Sequence, residues 1–172
     1  SGLQRVRNPV LIARKVMEET DHVMLTGDGA QRFARVMGFP DYDPVTPDRR
    51  ADWLDKRNRV DEVLGKHALK MRRFLKEHPE YAGGTVGAAA VDASGVLAAA
   101  TSTGGVTLKM VGRVGDSPVP GAVNYACARV AASATGTGEF VLRALATRRI
   151  AERMEQGESV EAALEAVLDA LG

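Results

Sequence analysis

The sequence predicts an α+β fold, and three observations carry that reading. Helical patterns with clear start and stop signals occupy the first 38 residues. At Thr85 the pattern turns to runs of small apolar residues around a hairpin-turn signal. Helical periodicity returns after Gly138 and lasts almost to the end.

Each element follows from local chemistry. Asn8-Pro9 opens the first helix, because Asn suits the N-cap and the N–H that Pro lacks has no partner at the first helical position. The helix runs to about Glu19, with Val10, Ile12, Ala13, Val16 and Met17 available to a core. A short strand is predicted at His22–Leu25. A second helix covers about Ala30–Met37 and stops at Gly38, with Pro40 just beyond.

Residues 41–84 differ in character. Thr46-Pro47 suits a helix start. Between Asp48 and Glu80, 17 of 33 residues are charged, and Trp53, Leu54, Val60, Val63, Leu64, Leu69, Phe74 and Leu75 give only a thin apolar stripe. One or two exposed helices, or a mobile linker, are expected, ending in Ala82-Gly83-Gly84. The charges alternate in sign, which suits a solvated surface rather than a nucleic-acid patch.

From Thr85, the runs Val86–Val91 and Val96–Ala100 flank Asp92-Ala93-Ser94-Gly95, a hairpin signal. Alanine is a weak strand former, so its abundance here predicts closely packed central strands buried on both faces. A glycine-rich irregular stretch follows from Thr103 to Gly121, then a strand near Arg129–Ala134. One long helix is expected to start after Gly138 and run to about Gln156. Phe140, Val141, Leu142, Leu145, Ile150 and Met154 would face inward, and Arg143, Arg148, Arg149 and Arg153 outward. Gly157 stops it, and Ser159 caps a last amphipathic helix through Leu171.

Composition narrows the function. The chain of 172 residues suits one domain or part of one, and Ser1 in place of Met suits a fragment. A net charge of +1 supplies no global field for nucleic acid or an acidic membrane. The single cysteine, Cys127, excludes an internal disulfide and is expected as a buried small hydrophobe. No run approaches the ~20 apolar residues of a membrane span, and no signal peptide is visible, so a cytoplasmic location is the default expectation. Phosphate-loop, zinc-helix, serine-elbow and paired Cys/His motifs are absent from the sequence. His22, His67 and His78 are scattered and read as surface or packing residues, so a hydrolytic base would not be histidine.

A threonine offers another route. If the peptide bond before it is cut, the freed α-amine has a reference pKa of about 7.7–8.0, which places a base on the nucleophile's own residue. Gly84-Thr85 fits that requirement, although those two residues alone read far better as a loop glycine before an ordinary strand. The ordered series that follows is more specific. It comprises Thr101-Ser102-Thr103-Gly104-Gly105, Gly112-Arg113-Val114-Gly115-Asp116, and Thr135-Gly136-Thr137-Gly138-Glu139.

Together with Arg7-Asn8-Pro9-Val10-Leu11 and His22-Val23-Met24-Leu25-Thr26-Gly27, these motifs resemble the isoaspartyl peptidase/plant-type asparaginase family of N-terminal-nucleophile hydrolases. The resemblance implies a four-layer αββα sandwich, only partly covered here. Residues 1–84 would be the C-terminal part of an α-subunit region, and 85–172 the N-terminal part of a β-subunit region. It implies self-cleavage between Gly84 and Thr85, with Thr85 as nucleophile and Thr103 as its activating partner. Arg113 and Asp116 would hold the substrate's α-carboxylate and α-amine, with Val114 and Gly115 between them. Thr135 and Gly136 would form the oxyanion hole, with Thr137 and Gly138 completing the pocket. The implied substrates are L-asparagine and β-aspartyl peptides, and the implied assembly is a homodimer of cleaved protomers. No organic cofactor is expected; a structural sodium ion is implied only by resemblance, in a loop outside this chain.

The pocket chemistry agrees. An arginine fork matches a carboxylate and an aspartate answers an ammonium, so the pair suits an amino-acid zwitterion. The sequence also departs from the family. The opening strand with its glycine-rich turn and the closing strands have no counterpart here, so the chain corresponds to roughly the middle half of such an enzyme. Leu108 stands where the family usually has Asn, and Ala126-Cys127-Ala128 replaces a more polar pattern. Two alternatives stay open. One is a glycosylasparaginase-type amidase, against which Thr103-Gly104-Gly105 speaks. The other is an inactive fragment or non-catalytic assembly partner. By itself the chain is expected to be poorly stable and inactive.

Overall fold

A computed structural model describes residues 1–58, 85–106, 109 and 111–171. The expectations for 59–84, including the end of the charged segment and Gly84, and for Leu108 lie outside the described residues. The chain divides into two compact units, Ser1–Gly84 with Gly104–Arg113, and Thr85–Thr103 with Val114–Gly172.

In the first unit, helix α1 spans Pro9–Glu19, α2 Gly27–Val36 and α3 Pro47–Asn58. Pro9 takes the first position of α1, but the Asn8 side chain makes no capping bond. Only Ile12 and Val16 of the five expected core residues of α1 are buried. Ile12, Val6 and Ala34 form the core, flanked by Leu3, Phe33 and Phe39. The C-terminus of α2 forms a Schellman turn. The Phe39 N–H donates to the Ala34 carbonyl at 3.0 Å, and that of Gly38 to Arg35 at 3.0 Å. Gly38 takes φ +82, which a side chain would resist. Thr46 caps α3 through the Arg49 N–H at 3.4 Å. No residue of α3 is buried, as the thin apolar stripe predicts.

The predicted strand at 22–25 does not form. A strand needs a paired neighbour, and no residue in the segment joins a described ladder; Val23 is exposed. Helix α2 also begins three residues earlier than the sequence predicts.

In the second unit, β1 (Thr85–Val91) and β2 (Leu97–Thr103) pair antiparallel from Thr85↔Thr103 to Val91↔Leu97. The turn is built on Asp92. Its Oδ1 accepts the Ser94 hydroxyl at 2.7 Å, the Ser94 N–H at 2.8 Å and the Val96 N–H at 2.9 Å. These donors, the Ser94 hydroxyl foremost, hold the Asp92 carboxyl below its usual range. A second ribbon pairs β3 (Asn124–Ala126) with β4 (Ala131–Ser133). It contacts the β1–β2 hairpin and also helix α5 (Ala146–Glu155). Helices α4 (Gly138–Ala144) and α6 (Val160–Leu171) complete the unit. Val123, Val141, Ala146, Ile150, Ala163 and Val167 form its core.

Three expectations fail here. First, the alanine-rich strands are not buried on both faces: Val86–Val91 are exposed on both faces of β1, and most of β2 is half-buried. Second, the long helix is two helices. Leu145 sits at φ +48 between α4 and α5. The cause is competition for amides: the N–H groups of Thr147 and Arg148 donate to the carbonyls of Ala122 and Gly121 at 3.2 and 2.9 Å. A continuous helix would commit them to Arg143 and Ala144. The break changes the helical phase, so Phe140 and Leu145 are exposed while Val141 and Ile150 are buried. Third, Cys127 is half-buried, its sulfur 3.9 Å from a Glu155 carboxylate oxygen. Ser159 does cap α6, through the Ala162 N–H at 3.2 Å.

Two predictions follow from these local structures. Leu145→Gly should be better tolerated than the isomeric Leu145→Ile, which should cost about 1 kcal/mol because a β-branched residue resists the left-handed region. In a continuous helix the order would reverse, since glycine there costs about 1 kcal/mol; thermal melts of the two variants decide. Asp92→Asn should lower Tm at neutral pH. Because the folded pKa of Asp92 is depressed, its contribution is complete above the unfolded value of about 3.9 and fades as pH falls through the folded one. Melts of both proteins should therefore begin to converge below about pH 4 and meet only once the pH has fallen through the depressed folded pKa.

Candidate active site

The hairpin register places two hydroxyls together. Thr85 is the first residue of β1 and Thr103 the last of β2, and they are directly paired. Thr85 Oγ1 donates to Thr103 Oγ1 at 3.2 Å. Facing residues of an antiparallel pair project from the same side of the sheet, so this contact depends on the register. Thr85 is half-buried and Thr103 exposed, which leaves the pair accessible to a ligand. Gly84, on the other side of the expected cleavage bond, lies outside the described residues.

Asp116 is buried, and its carboxylate accepts the Ser117 hydroxyl at 3.4 Å. The Val119 N–H donates to the Asp116 carbonyl at 3.0 Å, closing a turn. Asn124 Nδ2, on β3, holds the Ser117 carbonyl at 2.7 Å. Arg113 and Gly115 are half-buried and Val114 is exposed. Arg113 belongs to the first compact unit and Asp116 to the second.

Thr135, Gly136 and Thr137 form the exposed turn from β4 to α4. Thr137 starts α4 through its carbonyl, which accepts the N–H of Phe140 at 2.9 Å and of Val141 at 3.2 Å. Its side chain makes no capping bond. Gly138, the first residue of α4, is buried. At Gly136 a Cβ would come within 3.3 Å of Val141 Cγ2, so the turn runs close over the helix.

The second unit thus brings Thr85 and Thr103 into contact and fixes Asp116 and the 135–138 turn by separate local bonds. An open groove of about 200 Å³ lined by Ala89, Ala90, Val91, Leu97 and Ala131 holds none of the expected site residues. Among the described residues, no three His, Cys, Asp or Glu side chains gather into a metal-holding group. No helix among them is long and apolar enough to cross a membrane. The sequence reading assigned no role to three residues that pack beside the hydroxyl pair: Gly87, Thr101 and Ser133. For Gly87 and Thr101 the signal is the period of two that places them with Thr85 and Thr103; Ser133 has no such signal.

Comparison with known proteins agrees with the motif order. The family described as Asparaginase matches residues 1–171, and the chain belongs to that family. It is 46% identical over 169 residues to the plant-type L-asparaginase of Pyrococcus abyssi, covering 98% of this chain and 55% of that protein. It is 45% identical over 181 residues to the isoaspartyl peptidase of Escherichia coli, covering 100% of this chain and 54% of the relative. It is 40% identical over 177 residues to the isoaspartyl peptidase/L-asparaginase of Xenopus laevis, covering 98% of this chain and 52% of the relative. The chain therefore spans about half the length of these relatives.

Proposed function

We propose that the protein carrying this chain is a threonine-nucleophile amidohydrolase. It cleaves itself between Gly84 and Thr85, then hydrolyses L-asparagine and β-aspartyl peptides. The observation that carries this reading is the 3.2 Å hydroxyl contact between Thr85 and Thr103 at the open end of the hairpin. Family membership supports it, as do relatives named for L-asparaginase and isoaspartyl peptidase activity.

The chemistry runs in two stages. The Thr85 hydroxyl attacks the Gly84 carbonyl and the acyl group moves from nitrogen to oxygen. Water then hydrolyses the ester, leaving a carboxylate on Gly84 and a free amine on Thr85. That amine, with a reference pKa near 8, is the base for turnover. It takes the hydroxyl proton as Thr85 Oγ1 attacks the substrate's side-chain carbonyl, and the proton passes to the leaving amine. Water hydrolyses the resulting β-aspartyl ester. Thr103 orients the nucleophile. Backbone and side-chain donors at Thr135 and Gly136 stabilise the oxyanion, a contribution of about 2.7–4 kcal/mol per donor in related chemistry. Arg113 and Asp116 hold the zwitterionic head group, with Val114, Gly115, Thr137 and Gly138 around it.

We extend the proposal to the architecture and setting. The hairpin, the β3–β4 ribbon and the helices of the second unit are read as part of a four-layer αββα sandwich, assembled as a homodimer of cleaved protomers in the cytoplasm. No organic cofactor takes part, and no residue of this chain is assigned to a sodium ion. Assembly and cofactor need rest on the family resemblance, and location on the default expectation from the sequence.

Expression of the full-length protein should yield a new chain beginning Thr-Val-Gly-Ala, and Thr85→Ala should remain uncut and inactive. Intact mass and N-terminal sequencing test this; a single uncut species after prolonged incubation at neutral pH would refute it. Arg113→Ala should lower kcat/KM for L-asparagine about 10–200-fold, mainly through KM. Removing a charge-assisted partner costs about 1.5–3 kcal/mol. Steady-state kinetics on L-asparagine and a β-aspartyl dipeptide measure it, and unchanged kinetics would remove Arg113 from the pocket.

A further inference from the structure

On the hairpin face that carries the Thr85–Thr103 pair, the next pair inward with the same orientation is Gly87↔Thr101. It receives a residue from the other ribbon. Thr101 Oγ1 and Ser133 Oγ lie 3.0 Å apart in a hydrogen bond. A Cβ on Gly87 would stand only 2.8 Å from Ser133 Cβ and would meet its hydroxyl closer still. Gly87 does not take a positive φ, so the glycine answers a demand for space rather than for backbone freedom. β4 thus rests directly on β1 at this point.

Ser133 is the last residue of β4. Its backbone pairs with Asn124, and the Ala134 N–H donates to the Val123 carbonyl at 2.8 Å. The chain then enters the turn containing Thr135 and Gly136. At about 3.3 Å per residue, Thr135 begins only about 7 Å along the chain from this seat. Past Ala134 the turn is exposed. Its placement therefore depends on its two anchored ends, Ser133 and Ala134 at the close of β4 and the buried Gly138 at the start of α4.

We propose that Ser133, seated on Gly87 and hydrogen-bonded to Thr101, is a positioning residue that holds the Thr135-Gly136 turn in place for the oxyanion formed at Thr85. This rests on the function proposed above. The Ser133 hydroxyl touches no reacting atom; its effect passes through the backbone of the turn. Oxyanion donors must lie within about 2.7–3.1 Å of the developing charge, and a 1 Å error can cost about 100-fold in rate. The head-group side is held differently. The Asn124↔Ser133 pairing is made by backbone, and the bond from Asn124 Nδ2 to the Ser117 carbonyl does not use the serine hydroxyl. Loss of that hydroxyl should therefore act on kcat rather than on KM.

The test uses the full-length, self-cleaved enzyme. Ser133→Ala and Thr101→Val each remove one hydroxyl with little change of volume. Each should lower kcat for L-asparagine about 10–100-fold. KM and the Kd of the product L-aspartate should stay within about threefold, and the pH profile of kcat should be unshifted, because the Thr85 amine is untouched. The double variant should be no worse than the worse single one, since both cut the same bond. Thr101→Ser, which keeps the hydroxyl, should restore most of the rate. Near-native kcat in both single variants would overturn the proposal. A rate loss matched by an equal loss of folded protein or of L-aspartate binding would also overturn it. Thr85→Ala, assayed alongside, separates the two readings. An active Thr85→Ala enzyme refutes the nucleophile itself, whereas an inactive one beside an unaffected Ser133→Ala refutes the positioning role alone.

Discussion

The second unit depends on the register of one hairpin. Side chains alternate along a strand with a period of two, so a slip of one residue would reverse the faces of all of β1 relative to β2. Thr85 would then lose Thr103, and Gly87 would no longer stand opposite Thr101. The bond between hydroxyls and the close seat of β4 are two consequences of the same pairing. Asp92 fixes it at the far end, where a single carboxylate oxygen gathers the donors of Ser94 and Val96. Seven residue pairs separate that turn from the open end. The turn chemistry thus reaches the site through the ladder, without any contact with it.

The register also sets which residues can be small. Alanine fills the centre of both strands, yet β1 is exposed beyond Thr85 and most of β2 is only half-buried. The alanine content predicts close approach and burial on both faces, and of these only the close approach is found. One face admits β4 to within contact of the Gly87 backbone, while the exposure of Val86 and Val91 lies elsewhere on the strand. Composition reports how near a neighbour can come. It does not report how much of the surface that neighbour covers.

What was legible in the sequence follows the range of the forces involved. The bounds of α1, the Asp92 turn and the Ser159 cap rest on residues two to four apart, and each was readable. The break at Leu145 was not, because its cause lies more than twenty residues upstream. There Gly121 and Ala122 present carbonyls to the first amides of α5. Gly121 lets this happen: a Cβ there would stand 3.0 Å from Arg148 Cβ. Likewise, the strand expected at 22–25 had strand-like residues but no partner among the described ones. Thr85 and Thr103 were legible from motif order and are adjacent in space. Ser133 was not, since an isolated serine before Ala134-Thr135 carries no local signal. Its meaning lies in the missing side chain of Gly87, 46 residues earlier in the chain.

On the proposed chemistry, this arrangement resolves a demand that a threonine nucleophile imposes. The base for turnover does not exist until the bond before Thr85 is cut, so the first reaction has to proceed without it. Only the hydroxyl and its orientation are available at that stage. The Thr85–Thr103 contact is already present in the uncut chain, held by backbone pairing that cleavage does not remove. The ladder begins at Thr85 itself, so breaking the bond on its N-terminal side leaves all the residue pairs from Thr85↔Thr103 to Val91↔Leu97 in place. The same hydroxyl can therefore serve both reactions without refolding. A nucleophile placed in the middle of a strand would lose its alignment when the chain was cut; one placed at the strand's first residue does not.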